Sequence, residues 1–367
     1  MSQLSTKQHF AQFEAKGMPV QPPETKIVEA YGLGKCPKLV QQIAGDDLEV
    51  RINALAVLCD EFQNPYSIDG CARGGIIGVL SKMIKDPDYT TRVRATKALS
   101  IAAEDANGVR SILEDESVVI PQIAEGVEDP SEIVRGNVYQ CLLNVTHTME
   151  GVQSCVANGV TQAFVGVLSK EVDSLKPIVL KTLHNIVRSE EGLLAAINSD
   201  CVAVCLSLLL KSVKVAEAYS PYEASILSET SRTLGFMCFD GRAKEQALEQ
   251  QAVAQLVHLL KKKSIAATVK PPITIALMSM TTASEGKIQV NTAEGVEIII
   301  DQLYDNSRVV VMNTLKIISN IAVFPANRTI LTADSACIVK LRKLSKSEDA
   351  LIAKHAAVAL KAVLWTP

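Results

Sequence analysis

Residues that commonly carry catalysis are present in this chain, but their spacing matches no catalytic motif. The five histidines are far apart, and none belongs to an HExxH motif for zinc. They are His9, His147, His184, His258 and His355. No Gly-x-Ser-x-Gly segment, the turn that exposes a nucleophilic serine, is present in the sequence. We therefore predict no catalytic residues and a protein that is not an enzyme.

Two other segments resemble ligand sites in composition but not in spacing. Cys201 and Cys205 are four residues apart and would share one helix face, yet no further pair of Cys or His lies near them in sequence. Two core thiols are the favoured interpretation, and a metal-binding pair is the alternative. The segment DGCARGG, residues 69–75, matches neither a dinucleotide fingerprint nor a phosphate loop. The sequence thus predicts no metal site, no cofactor and no small-molecule substrate.

The elements that hold these residues recur along the chain with nearly constant spacing. Three Val-Arg pairs each open a run with apolar residues near the first, fourth, fifth and eighth following positions. They are Val50-Arg51, Val93-Arg94 and Val134-Arg135, and further copies begin at Leu175, Ile226, Val269, Val310 and Ile352. We name each first residue the anchor of its repeat. Successive anchors are 41–51 residues apart, and a period of roughly 40–47 residues is typical of armadillo and HEAT arrays.

Each predicted repeat contains three helices separated by characteristic turns. Glycine-containing turns at 73–75, 158–159 and 294–295 precede the second helix, because glycine reaches positive φ freely. Asp86-Pro87 and Asp129-Pro130 precede third helices, where Pro ends one helix and keeps the residue before it out of the α region. Such a unit cannot bury its apolar face alone, so neighbouring repeats must stack. The prediction is an all-α, armadillo-repeat, right-handed superhelical solenoid of about eight repeats.

Composition agrees with a helical array that binds neither nucleic acid nor membrane. Hydrophobic residues make up 48% of the chain and aromatic residues 4%, as expected when Leu, Val, Ile and Ala fill the layers between helices. The net charge of −3 argues against a general nucleic-acid binder, which would carry a basic stripe. No apolar stretch approaches the ~18 residues of a membrane span, and the N-terminus lacks a signal-peptide pattern. We expect a cytoplasmic protein whose nine Cys are reduced thiols.

Two segments depart from simple stacking. Residues 1–26 include the proline-rich run MPVQPPETK, which predicts an extended or partly disordered N-terminal arm before a solenoid over 27–367. The longest step between anchors holds extra residues, which we place near 211–223. Tyr219 and Tyr222 in this insertion are predicted to contact a partner, because insertions in a solenoid map to loops on one face. A neutral surface elaboration is the alternative.

Polar residues recur on the surface predicted to bind partners. In an armadillo superhelix the third helices line a concave groove, so residues at one offset from each anchor form a row along it. Ten residues after the anchor come Asn144, Asn185 and Asn320, and four residues earlier come Gln140, Lys181 and Lys316. An Asn amide can both donate to and accept from the backbone of an extended peptide, which predicts partner binding. The alternative is that each Asn ties its helix to a neighbouring loop of the same protein.

A row of cations follows the anchors by one position. Its members are Arg51, Arg94, Arg135, Lys176 and Lys270. These charges could attract an acidic partner segment. Coverage of helix surfaces by long side chains is the favoured explanation.

The repeat plan is similar to that of importin-α, but the groove differs. That family pairs each groove Asn with a Trp one turn before it, where this chain has Gln140, Lys181 and Lys316. The one Trp of the chain is Trp365. A groove for nuclear-localisation signals is therefore not predicted.

Two runs in the N-terminal third carry a closer resemblance. PPETKIVEAYG, residues 22–32, and VRINALAVLCDEFQNP, residues 50–65, resemble the armadillo-repeat subunits of the ciliary radial spoke, in the family called radial spoke head 14 homologue or rhabdoid tumour deletion region protein. The resemblance implies a structural scaffold in the axoneme of motile cilia or flagella, part of the cytoskeleton. It implies partners among other radial spoke proteins, including the elongated dimeric scaffold of the stalk. A soluble adaptor that binds extended peptides in signalling or transport is the alternative.

Overall fold

A computed structural model describes residues 34–214, 219–262 and 264–366. The predicted N-terminal arm, residues 1–26, lies outside these ranges. Within them every regular element is a helix and no strand is present. The predicted all-α class is therefore confirmed.

The described α-helices form one pair followed by seven triplets, numbered here in chain order. Repeats 1 to 4 contain α1 (Lys35–Ala44), α2 (Leu48–Glu61); α3 (Pro65–Arg73), α4 (Ile76–Lys82), α5 (Tyr89–Ala102); α6 (Ala106–Glu114), α7 (Glu116–Glu125), α8 (Glu132–Val145); α9 (Met149–Ala157), α10 (Val160–Leu168) and α11 (Lys176–Ile186). Repeats 5 to 8 contain α12 (Glu190–Asn198), α13 (Cys201–Lys214), α14 (Pro221–Met237); α15 (Gly241–Glu249), α16 (Ala252–Lys261), α17 (Lys270–Met280); α18 (Ser284–Thr292), α19 (Gly295–Asp301), α20 (Arg308–Ile321); α21 (Pro325–Ala333), α22 (Ser335–Leu344) and α23 (Ala350–Val363). Short 3-10 helices at Met83–Lys85, Gly126–Glu128 and Gln302–Tyr304 extend three of the second helices.

No single described helix is long and apolar enough to cross a membrane. Helices α12 and α13, which are bent by 70° at their junction, reach that length and composition only as a pair.

The third helices α2, α5, α8, α11, α14, α17, α20 and α23 stack on one another and bury the predicted apolar positions. Leu58, Leu142 and Ile318, eight residues after their anchors, are all 0% exposed. Because equivalent positions of stacked repeats have equivalent surroundings, the position eight residues after the anchor is buried and apolar in each of these repeats. The solenoid of eight repeats is therefore confirmed.

The second repeat has a register different from the predicted one. Arg51 and Arg135 each donate a hydrogen bond to the carbonyl oxygen six residues earlier, at 2.8 and 2.9 Å. In the second repeat this contact is made by Arg92, also at 2.9 Å. The structural anchor is therefore Thr91, two residues before the predicted Val93.

The turns between first and second helices follow the predicted chemistry with one correction. Gly75 and Gly159 have φ of 78° and 76°, in the left-handed region that glycine reaches without strain. In the turn at 294–295 the left-handed residue is Glu294, with φ of 52°, and not the glycine. Gly295 is required there for close packing instead, because an added Cβ would lie 2.9 Å from Val257 Cγ2.

The first helices begin in close contact with the end of the preceding third helix. A Cβ added to Gly151, the third residue of α9, would lie 2.0 Å from the carbonyl oxygen of Val145. The equivalent residues of α6, α12 and α18 are Gly108, Gly192 and Gly286, where the corresponding distances are 1.9, 2.1 and 2.3 Å. In these four repeats a side chain at this position would force the two helices apart.

The predicted insertion is partly built into helices. Residues 211–214 form the last turn of α13, and 221–223 begin α14, so both helices are longer than most of their counterparts. Ser220 and Glu223 form a reciprocal capping box at the start of α14, with hydrogen bonds of 2.8 and 3.2 Å. Described residues on both sides of 215–218 are thus ordered parts of the fifth repeat.

Candidate functional site

In repeats 2 to 7, the side chains six and ten residues after the structural anchors form two rows that share one side of the stack, here named the third-helix face. The sixth-position row is Lys97, Gln140, Lys181, Arg232, Ile275 and Lys316, and the tenth-position row is Ile101, Asn144, Asn185, Phe236, Ser279 and Asn320, of which Ser279 is buried. The structure thus brings the six predicted groove residues onto one face. Sequence reasoning missed Lys97 because the second anchor was displaced, and it missed Arg232 because the row was built from the Asn positions.

Asn185 and Asn320 each tie their helix to the preceding third helix. Asn185 Nδ2 donates to Thr146 Oγ1 at 3.3 Å. Asn320 Nδ2 donates to Met278 O at 3.3 Å and to Thr281 Oγ1 at 3.2 Å. These contacts agree with the intramolecular alternative for the donor side of each amide. The Oδ1 atoms accept no hydrogen bond from the described residues, and partner binding through them stays a prediction.

Both polar atoms of the Asn144 side chain form hydrogen bonds within the protein. Its Nδ2 donates to Ser100 O at 3.5 Å, and its Oδ1 accepts from Gln140 Nε2 at 3.0 Å. Asn144 and Gln140 therefore already satisfy each other on this part of the surface. A partner backbone would have to compete with that internal bond.

Three lysines of the third-helix face have uncommitted ammonium groups. Lys97 and Lys181 are exposed and Lys316 is half-buried. None of the three makes a hydrogen bond or ion pair with residues that the structure describes. The face therefore presents positive charge that no described residue pairs with.

By contrast, most cations that directly follow the structural anchors pair with the next repeat. Arg51 Nη1 lies 2.9 Å from Asp86 Oδ2, and Arg92 Nε lies 2.9 Å from Asp129 Oδ2. Lys270 lies 2.8 Å from Asp305 in the same arrangement, and Arg308, two residues before its anchor, lies 2.5 Å from Asp349 of the next repeat. These inter-repeat ion pairs show why those cations are not free for an acidic partner.

The aspartate of each Asp-Pro turn has two tasks. In Asp86, Oδ1 accepts from the backbone N–H of Asp88 at 2.8 Å, while Oδ2 accepts from Arg51. Asp129 uses Oδ1 for the Ser131 N–H at 2.8 Å and Oδ2 for Arg92. One side chain therefore fixes both its own turn and the contact with the preceding repeat.

The most buried inter-repeat pair joins Arg135 to Glu171. Arg135 donates to both carboxylate oxygens of Glu171, at 2.8 and 2.9 Å, and Tyr139 Oη donates to Oε2 at 2.6 Å. Burial opposes ionisation of Glu171, but hydrogen bonds from Arg135, Tyr139 and the Val172 N–H outweigh it, so its pKa lies below its ordinary value. The network is fully satisfied and ionised at neutral pH.

The junction between repeats 4 and 5 has no such pair among the described residues. Lys176, at the position of the pairing cations, instead contacts Asp173 of its own repeat at 2.5 Å. The polar contact across this junction is a hydrogen bond from Thr233 Oγ1 to Leu180 O at 3.3 Å. A charged side chain again joins the repeats at the next junction, between repeats 5 and 6, where Lys262 Nζ donates to Val213 O at 2.6 Å. The series of ion pairs is thus interrupted at the repeat that carries the insertion.

An aromatic cluster covers the third-helix side of that same junction. His184 and Phe236 meet edge to face with ring centroids 5.6 Å apart, and Phe236 meets Phe239 in the same way at 5.8 Å. Phe239 is 55% exposed. Burial, together with the positive charges of Arg232 and Arg188, lowers the pKa of His184 to about 4. The imidazole is therefore neutral at physiological pH.

The two tyrosines of the insertion have different surroundings. Tyr219 is half-buried, its hydroxyl donates to Ser212 O at 2.8 Å, and Lys262 Nζ lies 5.5 Å from its ring centroid. Tyr222, in the first turn of α14, is 57% exposed. Tyr219 thus packs within the protein, whereas Tyr222 is open to a partner.

The candidate metal ligands lie in the core. Cys201 and Cys205 are 0% exposed, and a hydrogen bond with Cys201 together with burial raises the pKa of the Cys205 thiol. Over the three described ranges, no group of three or more His, Cys, Asp or Glu is arranged to hold a metal ion. The two cysteines therefore pack as core thiols.

Known proteins resemble the chain in both sequence and structure. No family model matches the sequence. The chain is 24% identical over 362 residues to Radial spoke protein 14 of Chlamydomonas reinhardtii, a match that covers 95% of this chain and 90% of that protein. The resemblance inferred from the N-terminal runs is therefore confirmed over nearly the whole chain.

Solved structures bear out the fold. The crystal structure of an engineered protein matches 91% of this chain and 79% of its own with a TM-score of 0.79 at 20% identity. A designed armadillo repeat protein matches 66% of this chain and 99% of its own with a TM-score of 0.58 at 18% identity. The chain is an armadillo-repeat protein whose sequence is similar, over nearly its full length, to a radial spoke protein.

Proposed function

We propose that this chain is a non-enzymatic scaffold subunit of the axonemal radial spoke in motile cilia or flagella. The observation that carries the proposal is the similarity to Radial spoke protein 14, which extends over 95% of the chain and 90% of that protein. A match of this extent includes all eight repeats rather than one shared module. The helical stack supports the same role, because it offers a long surface on which partner segments can lie.

The inter-repeat contacts give the scaffold its mechanical basis. Each ion pair fixes the angle between one repeat and the next, and the buried Arg135–Glu171 pair does so with several hydrogen bonds at once. Repeats held in this way present partner-binding residues at constant spacing. A subunit of this kind can hold segments of neighbouring proteins in register while the spoke carries load.

The partners that we propose are other radial spoke proteins, including the dimeric stalk scaffold. Their contacts would lie on the third-helix face, through Lys181, Lys316 and the free Oδ1 atoms of Asn185 and Asn320, and at Tyr222 beside the insertion. Asn144, Gln140 and Tyr219 belong to the same surfaces but are held by internal hydrogen bonds. We infer that these three residues shape the surface more than they contact the partner.

Axoneme fractionation tests the proposed function. The tagged chain would be expressed in ciliated cells that lack the endogenous protein, and axonemes would be extracted with detergent and then with increasing salt. A spoke subunit should remain with the axoneme after detergent and later sediment within a large complex. Recovery in the detergent-soluble fraction, with reversible binding of isolated peptides, would instead favour the adaptor function.

Two sets of variants test the binding residues. Changing Asn144, Asn185 and Asn320 together to Ala should reduce incorporation into axonemes more than it reduces thermal stability. Strong unfolding without a selective loss of incorporation would support the intramolecular interpretation. Tyr222→Ser should also reduce incorporation, whereas Tyr219→Phe, which keeps the packed ring, is the matched control.

A further inference from the structure

We infer that the third-helix face binds an acidic, extended segment of a partner protein at a patch that spans repeats 4 and 5. This central patch consists of Lys181, His184 and Arg188 from α11 and the turn after it, with Arg232, Phe236 and Phe239 from α14 and the turn after it. The inference rests on the proposed scaffold function and specifies the chemistry of its partner. It concerns cations different from those predicted from the sequence, of which Arg51, Arg135 and Lys270 form inter-repeat ion pairs, Lys176 pairs with Asp173 and Arg94 donates to Ile52 O.

The geometry of the patch follows from helical periodicity. Lys181 and His184 are three residues apart on α11, and Arg232 and Phe236 are four residues apart on α14, so each pair lines one helix face. Arg188 and Phe239 lie in the turns after these helices, where the charge of Arg188 acts on His184 and the ring of Phe239 contacts Phe236. The edge-to-face contact between His184 and Phe236, at 5.6 Å, joins the two rows into one surface.

The charge of the patch is positive and mostly uncompensated. Lys181 and Arg188 are exposed and make no hydrogen bond or ion pair with any residue that the structure describes. Arg232 lies 3.4 Å from Glu229, and 46% of its side chain is exposed. Burial is the main cause of the lowered pKa of His184, and the nearby charges of Arg232 and Arg188 lower it further.

The neighbouring third helices do not neutralise that charge. From α8 to α17 the acidic residues of the third helices are Glu132 and Glu223, both in first turns, and Glu229. Glu132 accepts a hydrogen bond from Ser174, and Glu223 caps α14. The nearest carboxylates in sequence after Arg188 are those of Glu190 and Glu191, in the first turn of α12. Charge complementarity therefore favours an acidic occupant, which raises the association rate and orients the bound segment.

The aromatic cluster adds an apolar subsite beside the cations. Phe239 is 55% exposed although its ring packs against Phe236. An aromatic side chain held rigidly by its neighbours can bury an apolar side chain at low cost in conformational entropy. The occupant that fits is an extended segment with several carboxylates and at least one apolar residue.

A peptide-binding assay with the full chain tests the inference. The probe is a fluorescently labelled 12-residue peptide of alternating Glu and Ser with one central Leu. Extended, it spans about 40 Å, enough to cross about four third helices spaced about 8–10 Å apart. Matched peptides carry Lys or Gln in place of Glu, and a third carries Ser in place of Leu.

The variants separate the patch from general charge. A triple reversal of Lys181, Arg188 and Arg232 to Glu should weaken binding of the acidic peptide by about 10-fold or more, and added salt should weaken binding to the parent protein. The matched control reverses Lys82, Lys261 and Lys343, which are exposed on second helices and give the same change in net charge. If the variant with all three residues changed to Glu loses helicity, the double variant Lys181→Gln and Arg188→Gln replaces it in the same binding assay. Phe239→Ala should weaken binding of the Leu peptide but not of its Ser counterpart.

Three results would overturn the inference. These are binding of the Lys or Gln peptide as tight as that of the Glu peptide, equal weakening by the control triple, or equal binding of an oligodeoxythymidylate of the same length, which would indicate a general polyanion surface. Axoneme fractionation distinguishes failure of this inference from failure of the proposed function. Failure of the parent chain to join axonemes counts against the scaffold, whereas normal incorporation with no selective peptide binding counts against the patch alone.

Discussion

Removal of the buried carboxylate between repeats 3 and 4 should weaken the solenoid more than any other loss of a single ion pair described here. Four hydrogen bonds end on Glu171: two from Arg135 at 2.8 and 2.9 Å, one from Tyr139 at 2.6 Å and one from the Val172 N–H at 2.8 Å. The substitution Glu171→Ala removes the carboxylate acceptor of a buried guanidinium and leaves the Tyr139 hydroxyl with the carbonyl oxygen of Val127, at 3.2 Å, as its acceptor. Breaking a buried pair in this way costs about 3–5 kcal/mol.

The structure places the expected cost near the lower end of that range. Arg135 keeps its hydrogen bonds to the carbonyl oxygens of Asp129 and Pro130, at 2.9 and 3.3 Å, and 16% of its side chain remains exposed. We therefore expect a loss of about 3 kcal/mol. The change should be measured by urea denaturation, with hydrogen exchange of α8 and α11 to locate it, because repeat arrays open locally.

The effect should also depend on pH. The pKa of Glu171 in the folded protein lies below its ordinary value of about 4.3. The carboxylate therefore contributes its full stability above that ordinary value and loses it as pH falls through the folded pKa. The difference between parent and variant should shrink on acidification.

Arg308→Ala is the matched control, because its partner Asp349 forms the same kind of inter-repeat pair in an exposed setting. The side chains of that pair are 53% and 27% exposed, so the unfolding midpoint should change little. Equal midpoints for the Glu171 and Arg308 variants, or a difference that stays constant as pH falls, would refute the reasoning.

Further predictions concern the core, the helix junctions and the remaining ion pairs. Leu142→Ala should cost about 2–5 kcal/mol through lost burial and a cavity, measured by thermal melts; an unchanged melt would contradict the packing described for the third helices. Gly151→Ala should destabilise the fold because its Cβ would meet a carbonyl oxygen at 2.0 Å, whereas Gly78→Ala, with nothing within 4 Å, should be neutral or stabilising in the same melts. In Asp305, burial opposes ionisation, but hydrogen bonds from Lys270 and a backbone N–H lower the pKa, so Asp305→Asn should lower the urea midpoint at about pH 7 and have less effect below about pH 4.

The period and the buried positions could be predicted from the sequence because they depend on local pattern. Leu58 and Leu142 stand at the same offset from Val-Arg pairs, and stacked repeats give that offset the same surroundings. The second repeat was misplaced because TRVR contains two arginines at alternate positions. Their roles differ only through long-range contacts: Arg92 reaches Asp129, 37 residues away, whereas Arg94 donates to Ile52 O, 42 residues away.

The candidate site was less predictable because its properties depend on which polar atoms are already bonded. The sequence marks Asn144 and Asn185 as equivalent, yet a neighbouring Gln140 occupies the acceptor of the first and not of the second. The cations after the anchors and the lysines of the third-helix face are likewise indistinguishable by residue type. Their difference arises from carboxylates 35–41 residues away, which no local pattern reports.

The junction between repeats 4 and 5, which has no ion pair among the described residues, lies between two blocks of four repeats. When elements in series share a bending load, the softest joint takes up most of the angle. Over the described ranges, each of the other six junctions has a contact from a charged side chain, whereas this one has apolar packing and the Thr233–Leu180 hydrogen bond. A ligand that contacts both sides of such a joint binds best at one angle and shifts the population toward it. Bending of the solenoid and binding of a partner would then depend on the same junction between repeats.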